Sequence, residues 1–186
     1  MPEYTLKIKP GKELTQPELK IINDARVKHF NSKSVIKPLP ENEDWEKLYF
    51  MLYDSSNKFT AFARFHNVKI VFDNKEFEVL GLATLISFVP KMGYGGIILK
   101  EMVKYAKEHA KTAIGFCNPK LSDYYKSLGA DILTDGAQRF YSMETYGKLK
   151  QFISGNDVLY VEGSDDLMKE IISRPDLPVI CDRYHW

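Results

Sequence analysis

The chain has few cysteines and no long apolar run, and these two features exclude several classes of protein. Cys117 and Cys181 are its only cysteines, so a disulfide framework is excluded, and no Cys-x-x-Cys pair indicates a zinc site. The longest apolar stretch, residues 79–90, is interrupted by Thr84 and Ser87 and falls short of the roughly 20 residues of a membrane helix. The first residues are charged and lack the hydrophobic segment of a signal peptide. We therefore expect a cytoplasmic protein with no membrane partner.

An excess of charge of either sign is also absent. Lys and Arg total 26 and Asp and Glu total 25, which gives a net charge of +1. A nucleic-acid-binding protein usually has a basic excess or a basic run, so we expect no nucleic-acid partner. The histidines show no metal-ligand spacing, and we expect no metal site. With 44% hydrophobic and 13% aromatic residues, the chain can form the core of a single domain over residues 1–186.

Hydrophobic periodicity predicts an antiparallel first part. Residues 4–9 alternate as a strand does, and Thr15 and Glu18 have capping-box spacing at the start of a helix. Three further strands are predicted at residues 48–53, 59–72 and 77–88. Turn-forming residues separate them, which indicates a meander.

The second part of the chain alternates strands and helices. Gly-rich residues 93–96 precede an amphipathic helix, and a strand at residues 112–117 leads to a second helix that Asn118 caps and Gly129 ends. Further strands are predicted at residues 139–144 and 158–161, with a last helix capped by Ser164. We therefore predict an α/β fold with a mixed, mostly antiparallel sheet of about six or seven strands and helices on both faces.

The glycine-rich stretch joins a buried strand to a helix. A helix N-terminus presents backbone N–H groups without intrahelical acceptors, and its dipole favours an anion. Glycines let a phosphate approach these groups. A pyrophosphate site is one interpretation, and a glycine turn without a ligand is the other. The stretch lacks the Lys-Ser/Thr of a Walker loop, and Ile98 stands where a dinucleotide fingerprint needs a third glycine.

Two motifs, taken together, resemble the GNAT superfamily of N-acetyltransferases. The phosphate loop of that family reads Gln/Arg-x-x-Gly-x-Gly/Ala, and the chain matches it at Gly93 and Gly95. The next family segment reads Asn-x-x-Ala-x-x-Leu/Phe-Tyr, then three residues, then Gly. The chain matches this segment at Asn118, Tyr125 and Gly129. The order and spacing of the two motifs make the pair more specific than either alone.

The resemblance covers residues 79–130, with its core motifs in residues 77–130, and it implies both a fold and an activity. The sheet would be splayed at its centre, and acetyl-CoA, the co-substrate, would lie between the strands at 79–88 and 112–117. The implied activity is acetyl transfer to a primary amine of a small molecule or protein. The implied cofactor-binding residues are Leu85, Ile86, Ser87, Lys91, Met92, Gly93, Tyr94, Gly95, Gly96 and Asn118.

Tyr125 is the catalytic residue that the resemblance implies, as the donor of a proton to the leaving thiolate. A phenol suits this role because its ordinary pKa, about 10, lies above that of a thiol. Without the resemblance, Tyr125 is interpreted as a half-buried helix residue and Asn118 as a helix cap. Cys117 is interpreted as a packed thiol, because no histidine adjoins it in the sequence.

The chain departs from the family pattern at several positions. Pro90 stands where the family prefers Gln or Arg, and Leu121 stands at the small Ala position. Gly81 stands where many members have a strand glutamate that acts as the base. Glu78, His66 or a chain of waters are alternative bases, and none is chosen. These departures keep two alternatives open, a non-catalytic acyl-CoA-binding domain and an unrelated phosphate-binding α/β module.

The last six residues, Cys-Asp-Arg-Tyr-His-Trp, are similar to the end of the aminoglycoside 2′-N-acetyltransferases. That similarity implies a cationic amine acceptor near the carboxylate of Trp186. The other interpretation is a tail docked by Tyr184 and Trp186. The sequence does not identify the acceptor, and it leaves open whether the protein is a homodimer.

Overall fold

The computed structural model describes residues 3–30, 35–143, 149–152 and 155–183. These residues form four α-helices and ten strands. The strands are β1 (Tyr4–Pro10), β2 (Leu48–Asp54), β3 (Phe59–Phe72), β4 (Lys75–Ser87), β5 (Ala113–Cys117), β6 (Asp131–Leu133), β7 (Phe140–Met143), β8 (Leu149–Gln151), β9 (Asp157–Val161) and β10 (Val179–Cys181). The helices are α1 (Gln16–Phe30), α2 (Tyr94–Glu108), α3 (Ser122–Ser127) and α4 (Leu167–Ser173). None of these helices is long and apolar enough to cross a membrane.

The chain divides into two compact units, which we describe separately. The first unit comprises Met1–Phe65 and Ala83–Leu99, and the second comprises His66–Leu82 and Lys100–Trp186. β3, β4 and α2 each contribute residues to both. The expectation of a single domain stays a prediction.

The first unit is built on the predicted meander. β2 pairs antiparallel with both β1 and β3. The turn between β2 and β3 forms because the Asp54 carboxylate accepts hydrogen bonds from the backbone N–H groups of Ser56 and Lys58. α1 begins at the predicted capping box, since the Glu18 carboxylate accepts from the Thr15 N–H at 2.8 Å. The core of this unit includes Ile22, Tyr49, Met51, Phe62 and Ile86.

The second unit contains a long mixed sheet with the strand order β6-β9-β5-β4-β3-β10-β7-β8. β4 and β5 run parallel, with Leu80 opposite Ala113 and Gly81 opposite Ile114. β5 and β7 are separated by three strands in this order, which in a flat sheet places them about 19 Å apart. Yet the rings of Phe116 in β5 and Phe140 in β7 have centroids 5.3 Å apart, so the sheet is curled.

α4 packs in the core of the curled sheet. Its buried side chains are Leu167, Met168 and Ile171, and they share a cluster with residues of β3, β4, β5, β7, β9 and β10. The mixed α/β fold predicted from the sequence is therefore confirmed. The number of strands is larger than the predicted six or seven, because β6, β8 and β10 were not foreseen. Each has three residues, too few for a recognisable alternation.

The predicted cap of the last helix is wrong. α4 begins at Leu167 rather than after Ser164, and the carboxylate of Glu162 accepts hydrogen bonds from the N–H groups of Met168 and Lys169. The Ser164 hydroxyl instead donates to the carbonyl of Ala110 at 3.2 Å. An anionic side chain at the positive end of the helix satisfies the first-turn amides as well as a serine cap does.

Candidate functional site

The first unit contains the predicted pantetheine segment at the end of β4. Ile86 is buried in the core, whereas Leu85 and Ser87 are half-buried. The Ser87 hydroxyl donates to the Val89 carbonyl at 2.9 Å. The next backbone N–H, that of Phe88, donates to a carbonyl of β3 at 2.8 Å. Residues 85–87 are therefore the last part of a strand that a short loop joins to α2.

The loop between β4 and α2 has a backbone suited to present N–H groups. Lys91 and Gly93 have φ angles of 64° and 76°, both in the left-handed region, and they turn the chain into the helix. The first helical hydrogen bond runs from the Ile97 N–H to the Gly93 carbonyl at 3.1 Å. The N–H groups of residues 94–96 precede that bond and point along the positive end of a 15-residue helix.

Space is available at both motif glycines. A Cβ atom built at Gly93 or Gly95 meets no other atom within 4 Å among the described residues. Lys91 is exposed, and Met92 is 50% exposed. Tyr94 is 6% exposed, so its side chain is part of the packing and only its backbone suits a ligand contact. The loop therefore leaves space beside its backbone N–H groups, as the predicted pyrophosphate site requires.

Asn118, in the second unit, has the capping role that the sequence indicates. Its side-chain oxygen accepts from the Lys120 N–H at 3.0 Å. The helix that follows is not continuous, because a 3₁₀ turn over Pro119–Leu121 precedes α3, which has six residues. Gly129 has a φ of 95°, as expected of the residue that ends the helix. The structure thus confirms the local interpretation of Asn118 and does not test a contact with a cofactor.

Tyr125 lies on α3 and is half-buried. Burial raises the pKa of its phenol above the ordinary 10.0, and the nearby Cys117 and Tyr124 raise it further. The phenol therefore stays protonated at neutral pH, as a proton donor must. Tyr124 is 46% exposed, so the two adjacent tyrosines differ in environment.

Cys117 ends β5 and is 5% exposed. Its Sγ lies 3.7 Å from Oγ of Ser122, and the Ser122 hydroxyl donates to the buried carboxylate of Asp157. Burial raises the pKa of the Cys117 thiol, which lowers the fraction of nucleophilic thiolate. These contacts agree with the interpretation of Cys117 as a packed thiol.

The candidate bases differ in exposure. Gly81 is buried in the parallel pairing of β4 with β5. Glu78, on the same strand, is exposed, and His66 on β3 is 3% exposed. Water therefore reaches the Glu78 carboxylate more readily than the His66 imidazole, and Glu78, His66 and a chain of waters stay alternative bases.

The predictions about metal ligands and about the C-terminal residues can also be compared with the structure. Within the residues that the structure describes, no group of His, Cys, Asp and Glu side chains has the arrangement of a metal site. Cys181 is buried in β10, and the Asp182 N–H donates to the Lys69 carbonyl at 3.0 Å. Tyr184 and Trp186 lie outside the described residues. The predicted docking of the tail and the predicted role of the terminal carboxylate therefore stay predictions.

Sequence reasoning missed one unusual residue of the first unit. Thr84, within β4, has a φ of 56°, and Arg64 donates a hydrogen bond to its hydroxyl. The threonine reads as an ordinary strand residue, because β-branched residues favour strands. Nothing in the one-dimensional pattern marks the left-handed backbone or the partner.

The comparisons with known proteins give structural matches only. No protein-family model matches the chain, and no curated protein matches it in sequence. The structure is similar to an acyl-CoA N-acyltransferase from Pseudomonas aeruginosa, with a TM-score of 0.56 and 14% identity over 86% of this chain and 99% of that one.

Two Escherichia coli proteins are also similar. The GNAT family N-acetyltransferase YhbS, solved in complex with CoA, has a TM-score of 0.60 and 11% identity, with 100% of this chain and 91% of that one covered. ElaA has a TM-score of 0.56 and 14% identity over 86% and 100% of the two chains. Since these similarities cover 86–100% of this chain with TM-scores of 0.56–0.60, the protein has the acyl-CoA N-acyltransferase fold of the GNAT N-acetyltransferases.

Proposed function

We propose that the protein is a GNAT N-acetyltransferase that moves an acetyl group from acetyl-CoA to a primary amine. The observation that carries the proposal is the loop that begins α2. It combines two left-handed residues, two glycines with open space beside them, and the positive end of a 15-residue helix. The loop stands at the family's phosphate motif, in a chain whose fold is shared with an N-acetyltransferase solved with CoA.

The loop and the end of β4 have distinct tasks in this proposal. The N–H groups of residues 94–96 bind the pyrophosphate, with the helix dipole adding positive potential. Lys91 supplies the only side-chain cation within residues 90–96. Pro90, at the position where the family prefers Gln or Arg, has no side-chain donor. The backbone of residues 85–87 pairs with the pantetheine arm as an added strand does. Acetyl-CoA supplies the acetyl group as an activated thioester.

The reaction needs an anion stabiliser and a proton donor. A backbone N–H near Leu85 donates to the thioester carbonyl oxygen, which gains negative charge as the amine adds. Tyr125 donates its phenolic proton to the sulfur as the C–S bond breaks and the thiol leaves. The amine nitrogen loses one proton to a base or to water, and the Tyr125 phenolate regains a proton from solvent. The raised pKa of Tyr125 supports this assignment, because the phenol then keeps its proton at neutral pH and can donate it.

Calorimetry and a thiol-release assay test the proposal. We expect acetyl-CoA to bind the purified protein, and we expect free CoA to appear only when a suitable primary amine is added. The amine panel includes small cationic amines and peptides with lysine side chains or free N-termini, since the acceptor class is open.

The same two measurements separate the alternatives. Binding without thiol release for any amine favours a non-catalytic acyl-CoA-binding domain, for which the replacement of the strand carboxylate by Gly81 is the specific argument. Absence of acetyl-CoA binding contradicts both functions and leaves a phosphate-binding module. A variant that is folded but impaired in the loop, Gly95→Val, serves as the negative control.

A further inference from the structure

Thr84 has a backbone conformation that its side chain disfavours. Its φ is 56°, and it is the only β-branched residue with a positive φ in the part of the chain that the structure describes. In the left-handed region the branched Cβ crowds the backbone. Such a conformation persists where neighbouring groups hold it, and it tends to occur at functional positions.

Arg64 holds the Thr84 side chain. Its Nε donates to Thr84 Oγ1 at 3.2 Å, and the residue is 6% exposed. The far end of the guanidinium is itself anchored, since Nη1 lies 3.5 Å from the Tyr49 hydroxyl and 3.6 Å from Asp44 Oδ1. Lys47 Nζ contacts the same Asp44 oxygen at 2.9 Å. The contacts with Tyr49 and Asp44 therefore fix the position of the guanidinium independently of its hydrogen bond to Thr84.

We propose that Arg64 is a positioning residue for the coenzyme-binding backbone. By keeping Thr84 in the left-handed conformation, Arg64 sets the direction of the peptide groups of residues 85–87. Peptide planes are rigid, so a rotation about the two soft dihedrals of one residue reorients the N–H and C=O groups that follow. The inference rests on the proposed function, in which these groups pair with pantetheine and polarise the thioester.

Two single substitutions remove the hydrogen bond from opposite sides. Thr84→Val keeps the shape and the branch but deletes the acceptor. Arg64→Lys keeps a cation beside Asp44 but has no N–H at the Nε position. Each substitution should lower acetyl-CoA affinity by about five- to tenfold in calorimetry. The double variant should bind acetyl-CoA as tightly as the more impaired single variant, because both substitutions remove the same interaction.

A glycine background tests the role of strain directly. Thr84→Gly adopts a positive φ without a Cβ penalty, so it no longer needs Arg64 to hold the conformation. In that background Arg64→Lys should change acetyl-CoA affinity by less than about twofold. A loss as large as in the threonine background, or additive effects of the two single substitutions, would overturn the proposal.

Thr60→Val is the matched control. Thr60 is a buried threonine of the same unit whose hydroxyl donates to the Leu52 carbonyl at 3.0 Å. Its backbone carbonyl accepts from the Phe88 N–H, and the substitution keeps that backbone bond while removing only the hydroxyl. The substitution replaces the same atoms and should reduce stability, yet acetyl-CoA affinity should stay within about twofold of wild type. If Thr84→Val behaves like Thr60→Val in binding, Arg64 has only a structural role and the proposal is wrong.

Amide hydrogen exchange in the CoA-free protein separates this proposal from the proposed function. Thr84→Val and Arg64→Lys should each speed exchange at residues 85–87 by about tenfold, whereas Thr60→Val should leave those amides unchanged. A wild type that fails to bind acetyl-CoA contradicts the proposed function, and the exchange rates then still decide the role of Arg64. Unchanged exchange at residues 85–87 in both Thr84→Val and Arg64→Lys would overturn the positioning role of Arg64.

Discussion

The proposed role of Tyr125 as the proton donor can be tested by removing one oxygen atom. Removal of its hydroxyl in Tyr125→Phe should keep the fold and acetyl-CoA affinity but lower kcat by roughly 10²- to 10⁴-fold, the usual contribution of a general acid. Burial raises the pKa of the phenol above its ordinary value, so the proton is held to higher pH than in a free tyrosine. Deprotonation of Tyr125 should therefore cause no fall in wild-type kcat near neutral pH. Thiol release under saturating substrates measures both effects.

The adjacent tyrosine is an internal control for that variant. Tyr124 is 46% exposed, and consecutive helix residues point about 100° apart, so Tyr124→Phe should keep nearly wild-type kcat. Equal behaviour of the two variants, or full turnover in Tyr125→Phe with chemistry rate-limiting, would mean that Tyr125 is a packing residue.

In the sequence, Glu78 is the nearest carboxylate to Gly81, the position where the family has its base. It lies on β4 three residues before Gly81 and is exposed, so its side chain is solvated and points to the other face of a regular strand. Glu78→Gln should leave the acidic limb of the pH–kcat/KM profile unchanged, since deprotonation of the amine or of a histidine sets that limb. Disappearance of the limb in this variant would identify Glu78 as the base after all.

In the proposed function, coenzyme affinity depends on the loop at the start of α2. Gly95→Val should lower CoA affinity by about tenfold or more, roughly 1.4 kcal/mol, because the branched side chain enters the space meant for the pyrophosphate. No described atom lies within 4 Å of a Cβ at Gly95, and its φ is not positive, so the variant should fold. Calorimetry with CoA measures the loss.

Pantetheine, which lacks the pyrophosphate, provides the comparison ligand for this variant. Its affinity should change much less than that of CoA. An equal loss for the two ligands would indicate general misfolding rather than a blocked phosphate path.

The start of α1 depends on Glu18. Burial opposes its ionisation, but hydrogen bonds from Lys9, Thr15 and Tyr53 outweigh that effect and lower its pKa from 4.5 to about 2. Glu18→Gln should reduce the free energy of unfolding by about 1–2 kcal/mol at pH 7, as expected for loss of a capping box and charged hydrogen bonds. Urea denaturation measures the difference.

The pH dependence of that difference has a definite sign. The folded-state pKa of Glu18 is depressed, so its stabilising effect is fully present above pH 4.5 and is lost as the pH falls towards about 2. The gap between wild type and Glu18→Gln should therefore shrink across this range. A gap that stays constant from pH 5 to pH 2.5 would show that the ionised carboxylate is not what stabilises the helix.

At the scale of the whole molecule, Arg139 joins distant parts of the second unit. Its guanidinium donates to the carbonyls of Ile171, Arg174 and Leu177 at 2.8, 2.6 and 3.1 Å, which are the last groups of α4 and the turn after it. Arg139→Met should lower the free energy of unfolding by about 2–3 kcal/mol, because these carbonyls lose charge-assisted donors. Urea denaturation followed by near-UV circular dichroism measures the loss.

A surface cation serves as the comparison for Arg139. Lys104 is exposed and pairs with Glu108 one turn along α2 at 3.8 Å, and such pairs contribute about 0.5 kcal/mol or less. Lys104→Met should therefore unfold almost as wild type does. Similar stability of the two variants would show that the Arg139 contacts add nothing beyond a surface charge.

Local features of this protein were predictable because a few neighbouring residues determine them. The bounds of β3, the capping box of Thr15 and Glu18, the cap at Asn118 and the left-handed Gly129 all agree with the structure. For the two caps and Gly129, the hydrogen-bond partner or the conformational freedom lies within one turn of chain, and β3 is bounded by turn-forming residues directly before and after it. The glycine loop belongs to the same class, since its open backbone follows from residues that have no side chain.

What depends on residues far apart in the sequence was decided only by the tertiary structure. The strand β10 forms because the second unit offers β3 and β7 as partners on either side, not because Val179–Cys181 alternates. Glu162 rather than Ser164 caps α4, and Arg64 holds Thr84 in a conformation that threonine alone avoids. The sequence by itself determined the longer strands and helices and the glycine-rich loop before α2, because neighbouring residues set these features. Long-range packing determined their partners, because the free energy of such contacts outweighs local preference.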